Sequence, residues 1–202
     1  MSQKQQGGTL KNKILIILGH PAKDSFCKSI ANEYREAASN AGHEVKLINL
    51  AELAFDPILH EGYNVIQPLE PDLINAQNSI LWAEHIVWIY PNWWGAMPAL
   101  LKGFIDRVFI PGFAFKYRDN SNLWDKLLGG KSAQLYVTMD SPPWYYRWFT
   151  KMPGHKQMKL AILNFCGISP VKISSFGPVK SASDIQIEKW LRAVRHDAAQ
   201  SV

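Results

Sequence analysis

Two adjacent indoles, Trp93 and Trp94, followed by Gly95, separate an apolar run that stops at Pro91 from an apolar-periodic segment opened by Pro98. In that segment Leu101, Ile105 and Val108 fall on one helical stripe, and a proline in the first helical turn forfeits no hydrogen bond. The stretch therefore reads as strand, loop and helix, with Pro111-Gly112 ending the helix. In an open α/β sheet, ligands bind where loops leave the carboxyl ends of strands. The plainer use of a tryptophan is packing, since its large ring is mostly buried on average. Neighbours in an extended chain point to opposite faces, however, so both rings do not easily sink into one core. One can pack while the other serves as a platform for a flat aromatic ligand, where stacking adds about 0.5–1.5 kcal/mol beyond area burial.

Two further loops have unusual chemistry. Residues 13–19 (KILIILG) form a continuous apolar run, the mark of a central parallel strand buried on both faces. The run ends in HPAKDSFC, after which Ile30, Tyr34, Ala37, Ala38 and Ala41 mark a helix closed by Gly42. Ser25 and nearby backbone N–H groups lie at the amino end of that helix, where free donors and the helix dipole favour a phosphate. Asp24 or Ser25 serving only as an N-cap is the competing reading. Residues 133–138 (AQLYVT) read as another strand, leading into Met139 and an aromatic-rich loop whose start Pro142 and Pro143 keep out of helix.

The remaining elements follow from periodicity and punctuation. Residues 44–50 are a second strand, 72–83 a helix, 86–90 the third strand, 171–176 the fifth, and 183–197 a last helix with Ser183 as its N-cap. Residues 123–128 suggest a short helical piece and 155–165 a helix ending at Gly167. Residues 51–71, with Pro57, Pro68 and Pro71, resist long regular elements, and such a segment in a compact domain is usually functional or flexible. Strands alternating with helices imply right-handed crossovers. The predicted architecture is a doubly wound, flavodoxin-like, five-stranded parallel sheet in the order 2-1-3-4-5 with helices on both faces. Its switch point lies between the first and third strands, so the three unusual loops share one rim.

Composition narrows the function. The 47% hydrophobic content fits one domain over residues 13–202 behind a disordered tail of residues 1–12. No apolar run approaches the ~20 residues needed to span a bilayer, which predicts a soluble, cytoplasmic protein without membrane insertion. Cys27 and Cys166 have no metal-ligand spacing and read as reduced thiols, Cys166 within an apolar helical pattern. The net charge of +5 comes without a long basic run, so nucleic acid is not expected, while an anionic ligand is favoured or the charge is a solvated surface. There is no G-x-G-x-x-G after the first strand, no P-loop and no G-x-S-x-G elbow. A phosphate cradle beside aromatic platforms remains, which suits a flavin.

The string YPNWWGAMPALLKGFIDRVFIPGFAFKY resembles the flavin-dependent NAD(P)H:quinone oxidoreductases, the DT-diaphorase-like branch of the flavodoxin superfamily. The shared pattern is an aromatic, Pro, two variable positions and Trp, then Pro-Ala-hydrophobic-Leu-Lys-Gly-aromatic, an acid, Arg-Val, and Gly-Phe-Ala-aromatic. The likeness is lighter over the HP-x-x-x-SF loop and residues 164–167. It implies that His20, Ser25, Phe26 and Cys27 meet the flavin's phosphate end. Pro91, Asn92, Trp93, Trp94 and Gly95 would run along the ring edge, and Thr138, Met139, Asp140 and Ser141 would cover the other side. By the same likeness Tyr146 is the catalytic tyrosine and His155 its histidine partner. Phe115, Tyr117 and Phe165 match aromatics that wall the substrate slot of a second subunit, implying a homodimer.

Two departures stand out. The chain has Thr138-Met139-Asp140-Ser141 where the family often has Thr-Thr-Gly-Gly, and Gly95 where an aromatic is common, which would widen the slot. The resemblance implies two-electron, ping-pong reduction of quinones or similar acceptors by NAD(P)H, with FAD as the flavin and FMN as the alternative. Two other readings are an ancillary regulatory flavoprotein of a potassium-efflux system and a flavodoxin-type electron carrier. Carriers of that type are usually acidic, and this chain is basic.

Overall fold

A computed structural model describes residues 11–200. The central sheet is parallel and runs β2 (Glu44–Asn49), β1 (Lys13–Leu18), β3 (His85–Pro91), β6 (Ser132–Thr138), β7 (Val171–Phe176). This is the expected 2-1-3-4-5 order, with β6 and β7 as its fourth and fifth strands. The apolar runs become strands because both of their sides are covered: all seven residues of β3 are buried, and so are the last five of β1. On one face Ile14, Ile16, Val87 and Tyr136 pack against α1 (Phe26–Asn40) and α7 (Asp184–Ala199). On the other, Leu15, Ile17, Trp88 and Tyr90 meet α2 (Pro71–Trp82) and α3 (Ala99–Val108). No helix among the described residues is long and apolar enough to cross a membrane.

Several local expectations are corrected. The predicted tail lies outside the described residues except for its last two. Of these, Lys11 pairs with Glu44 at 3.2 Å and the Asn12 N–H donates to His43 Nδ1, so both are held against β2. Residues 123–128 are not helical. Instead β5 (Trp124–Lys126) pairs antiparallel with β4 (Phe115–Tyr117) in a separate hairpin. Trp124 stacks on Phe165 at 4.4 Å and Asp125 pairs with Arg118, tertiary contacts that override local helix preference. The aromatic loop after β6 coils into α4 (Pro143–Trp148), because a proline is tolerated in the first helical turn. The helix expected over 155–165 is α5 (Pro153–Lys156), a π-helical segment (Gln157–Leu163) and a final turn, α6 (Asn164–Cys166).

The irregular segment between η1 (Leu50–Glu52) and α2 is strapped to α3. Arg107 is almost fully buried, and its guanidinium donates to the carbonyls of Asp56 and Pro68 and to both carboxylate oxygens of Glu70. One turn earlier, Gly103 lets Pro57 approach, because a Cβ there would lie 2.5 Å from the Pro57 carbonyl oxygen. Alanine is about 1 kcal/mol better than glycine in a helix interior, yet the collision is with backbone that has no free end to swing aside. Gly103→Ala should therefore lower stability by roughly 1–3 kcal/mol, the usual cost of overpacking. A denaturant midpoint equal to or above wild type would show that the approach is not needed.

Candidate functional site

The chain leaves β1, β3 and β6 on the same side of the sheet, and their loops enclose a cavity of about 630 Å³ at the switch point. Of the predicted cofactor residues, His20, Phe26, Cys27, Pro91, Asn92, Trp93, Trp94, Gly95, Thr138, Met139, Asp140 and Ser141 all line it. Ser25 does not. It is the N-cap of α1, its Oγ accepting from the Lys28 N–H at 3.2 Å, so its side chain serves the helix end.

Trp93 to Ala96 close a tight turn, each donating its N–H to the other's carbonyl, at 2.9 and 3.0 Å. Both central residues have positive φ, Trp94 at 53° and Gly95 at 78°, as in a type I′ turn. Glycine suits the second of these positions, while Trp94 is held in a conformation that costs a non-glycine residue about 1–2 kcal/mol. The turn thereby holds the Trp94 indole wholly clear of the protein surface, while Trp93 is half-covered with its ring edge-on to His20. The two rings divide as platform and packing. His20 Nδ1 accepts from the Ala22 N–H, which leaves Nε2 as the protonated nitrogen, and partial burial holds the ring's pKa below its ordinary value.

Cys27 and Thr138 form a buried floor, sulfur to hydroxyl 3.3 Å, and burial pushes the Cys27 thiol up to about 11. It is a protonated wall group. Cys166 is likewise buried and raised to about 12, in keeping with packing. Asp140 turns its carboxylate to accept from the Lys180 N–H at 3.1 Å. The N–H groups of Trp94, Gly95, Asp140 and Ser141 have no hydrogen-bond partner among the described residues and belong to the cavity wall. Such donors, with a flat ring beside them, fit the carbonyl oxygens and ring nitrogens of a flavin, and the cavity has ligand-pocket size.

Tyr146 also lines the cavity, but its hydroxyl is occupied: it accepts from the Gly154 N–H at 2.9 Å and donates to the Gly95 carbonyl at 3.1 Å. The phenol is a strut between the tryptophan turn and α5, and burial raises its pKa. His155 packs its ring edge-on against Tyr146, centroids 5.0 Å apart, without a hydrogen bond between the two side chains. It faces away from the first cavity into a second one, where Nε2 lies 3.5 Å from Ser175 Oγ. Burial lowers its pKa to about 4, so the ring is neutral at physiological pH. Phe115, Tyr117 and Phe165 come together elsewhere, Phe115 contacting both others at 5.3 and 5.1 Å, and none lines the cavity. Sequence reasoning missed Tyr145, Thr150, Pro153 and Val179 in the wall. Only Tyr145, within the aromatic string, carried a signal.

The chain matches the flavodoxin-like fold family over residues 12–197. It is 34% identical to an uncharacterized NAD(P)H oxidoreductase of Haemophilus influenzae over 176 residues, 84% of this chain and 86% of that protein. It is 28% identical to NAD(P)H dehydrogenase [quinone] 1 of Cavia porcellus, over 87% of this chain and 72% of the other. A crystal structure of a Streptococcus mutans protein superposes with a TM-score of 0.79 at 31% identity, covering 94% of this chain and 99% of that one.

Because Trp94 is strained and makes no packing contribution, Trp94→Gly should leave the stability of the flavin-free protein unchanged or raised. Loss of a stacking ring worth about 0.5–1.5 kcal/mol should weaken flavin binding by about 2- to 13-fold. Denaturant unfolding and a flavin titration read the two arms. Lowered stability would make Trp94 a packing residue, and unchanged affinity would remove it from the flavin site.

Proposed function

The chain belongs to the flavodoxin-like family that includes the NAD(P)H:quinone oxidoreductases, and on that premise we propose that it is an NAD(P)H-dependent flavoprotein reducing quinones or similar flat acceptors by two electrons. The observation that carries this reading is the set of four unpartnered N–H donors beside the exposed Trp94 ring, in one cavity at the switch point. A flavin held there would supply the redox chemistry, a two-electron exchange between NAD(P)H and the acceptor. The protein's part is to hold that ring, offer N–H dipoles where negative charge develops, and present Trp94 as a stacking surface. Tyr146 is proposed as the side-chain donor of the slot, which requires it to release the Gly95 carbonyl, with His155 as the positioning partner of its ring. FAD is the proposed flavin, on the likeness of residues 90–117 to the FAD-using branch.

A homodimer completes the reading. Tyr117 is 59% exposed at the aromatic group with Phe115 and Phe165, and Tyr63, Val65 and Ile66 leave further apolar surface open on the strapped segment. Exposed apolar side chains of this kind are candidates for an interaction site. In the proposed dimer, Phe115, Tyr117 and Phe165 of one copy wall the slot of the other. Sedimentation should give twice the chain mass, and a monomer at micromolar concentration would remove this part.

The deciding experiment is an anaerobic NAD(P)H titration of the flavin-loaded protein. Bleaching of the flavin absorbance, and its return on adding a quinone, is expected, with FAD rather than FMN identified in the released cofactor. Flavin that binds but does not bleach would indicate a carrier or a regulatory subunit instead.

A further inference from the structure

Behind Tyr146 lies the second cavity, about 640 Å³, bounded by the edge strand β7 and the stretch from α4 to the π-helical segment. Three cations line it, Arg147, Lys156 and Lys159, and no carboxylate does, while Lys172 of β7 sends its side chain to the opposite face of the sheet, toward His85 and Asp197. None of the three has an ion-pair partner among the described residues. The floor between them is apolar, formed by Leu160, Val171 and Ile173. Three like charges around one hollow repel one another, with the Trp148 ring 5.7 Å from the Arg147 guanidinium as a partial offset.

The backbone at this cavity is irregular in two places. Lys151 and Met152 are successive non-glycine residues with positive φ, 62° and 53°, and Met152 is in the wall. Lys159 and Leu160 belong to the seven-residue π-helical segment. Strained residues and π-bulges both concentrate at functional sites, because their cost persists only where the surroundings hold them. Here the two irregularities bring Met152, Lys159 and Leu160 to one hollow.

We infer that this cavity binds an amphipathic organic anion, a flat apolar body carrying a sulfonate, carboxylate or phosphate, and that its occupancy is felt at the flavin cavity through Tyr146. The charged end meets Lys156, Lys159 and Arg147, and the body lies on Leu160, Val171 and Ile173. Tyr146 is the wall common to both cavities, and its hydroxyl bridges Gly154 of α5 to Gly95 of the tryptophan turn. Gly154 is tightly seated, since a Cβ there would lie 2.5 Å from the Gly95 carbonyl oxygen. A ligand that shifts α5 therefore shifts the turn. The coupling rests on the flavin reading, and the site itself does not.

The test is calorimetric titration with anilinonaphthalene sulfonate, compared with its uncharged parent phenylnaphthylamine. Flavin-loaded wild-type protein should bind one equivalent of the sulfonate, with binding weakened about tenfold or more in K156E/K159E, and the neutral compound should bind about tenfold or more weakly to wild type. The flavin's visible absorption band should shift on saturation. Absence of sulfonate binding would overturn the site, as would binding that survives charge reversal or matches that of the neutral compound. Binding that flavin abolishes, or that is lost in Trp148→Ser at the exposed aromatic patch, would place the probe elsewhere and equally overturn it. Tight binding with an unmoved flavin band would overturn the coupling alone. If the protein takes up no flavin, the flavin reading fails while the same calorimetry on the flavin-free chain still decides the site.

Discussion

Burial of the central strands on both faces confines what this molecule can do. The seven residues of β3 have no side open to solvent, and β1 is closed over five of its six, so their side chains are spent on the two cores. Chemistry is left to the rim where these strands end and their backbones turn away. The crowding of tryptophan, histidine, threonine and unpaired N–H groups there is the counterpart of two dry interiors. A strand that alternated apolar and polar residues would have released a face and needed no such rim.

On that rim the Tyr146 hydroxyl makes two loops into one object. It accepts a hydrogen bond from the Gly154 N–H and donates one to the Gly95 carbonyl, so the turn after β3 and the helix after α4 keep a fixed separation. The fold thus sets the aromatic platform of one cavity against the π-helical wall of the other. Phenol, unlike phenylalanine, can do this because it is at once donor and acceptor. The same arrangement explains why His155 lies apart from the cavity its sequence position suggested. Nine residues after Tyr146 the chain has passed beneath the tyrosine ring, and the imidazole emerges on the far side.

What the sequence made legible follows from where the signals were local. Continuous apolar runs at residues 13–19 and 86–90 gave the central strands, and the sheet order followed from alternation with helices. The cavity wall was legible nearly residue by residue, because loops at strand ends are contiguous in the chain. Features that depend on distant partners were hidden. Trp124 becomes a strand residue only because Phe165, far along the chain, stacks on it. The positive φ of Trp94 leaves no mark in residue type, and the second cavity draws its cations from α4, α5 and the π-helical segment, whose grouping no spacing reveals. Pro143 starts a helix where its residue type equally suggests a break, since proline is compatible with either role.

The strap on α3 has a consequence for how this chain can change over generations. Arg107 grips the segment through the carbonyls of Asp56 and Pro68, atoms that every residue possesses, and Gly103 admits it by having no side chain. Glu70 is the one side chain that the guanidinium asks for. Residues between the two anchors can thus be replaced, shortened or extended at the small closure cost of a surface loop without disturbing the sheet, and such a change would redraw the apolar surface that Tyr63, Val65 and Ile66 present. The fold carries an interchangeable part, and lineages that keep the glycine and the arginine on this helix can diversify there while the rest of the molecule stays the same.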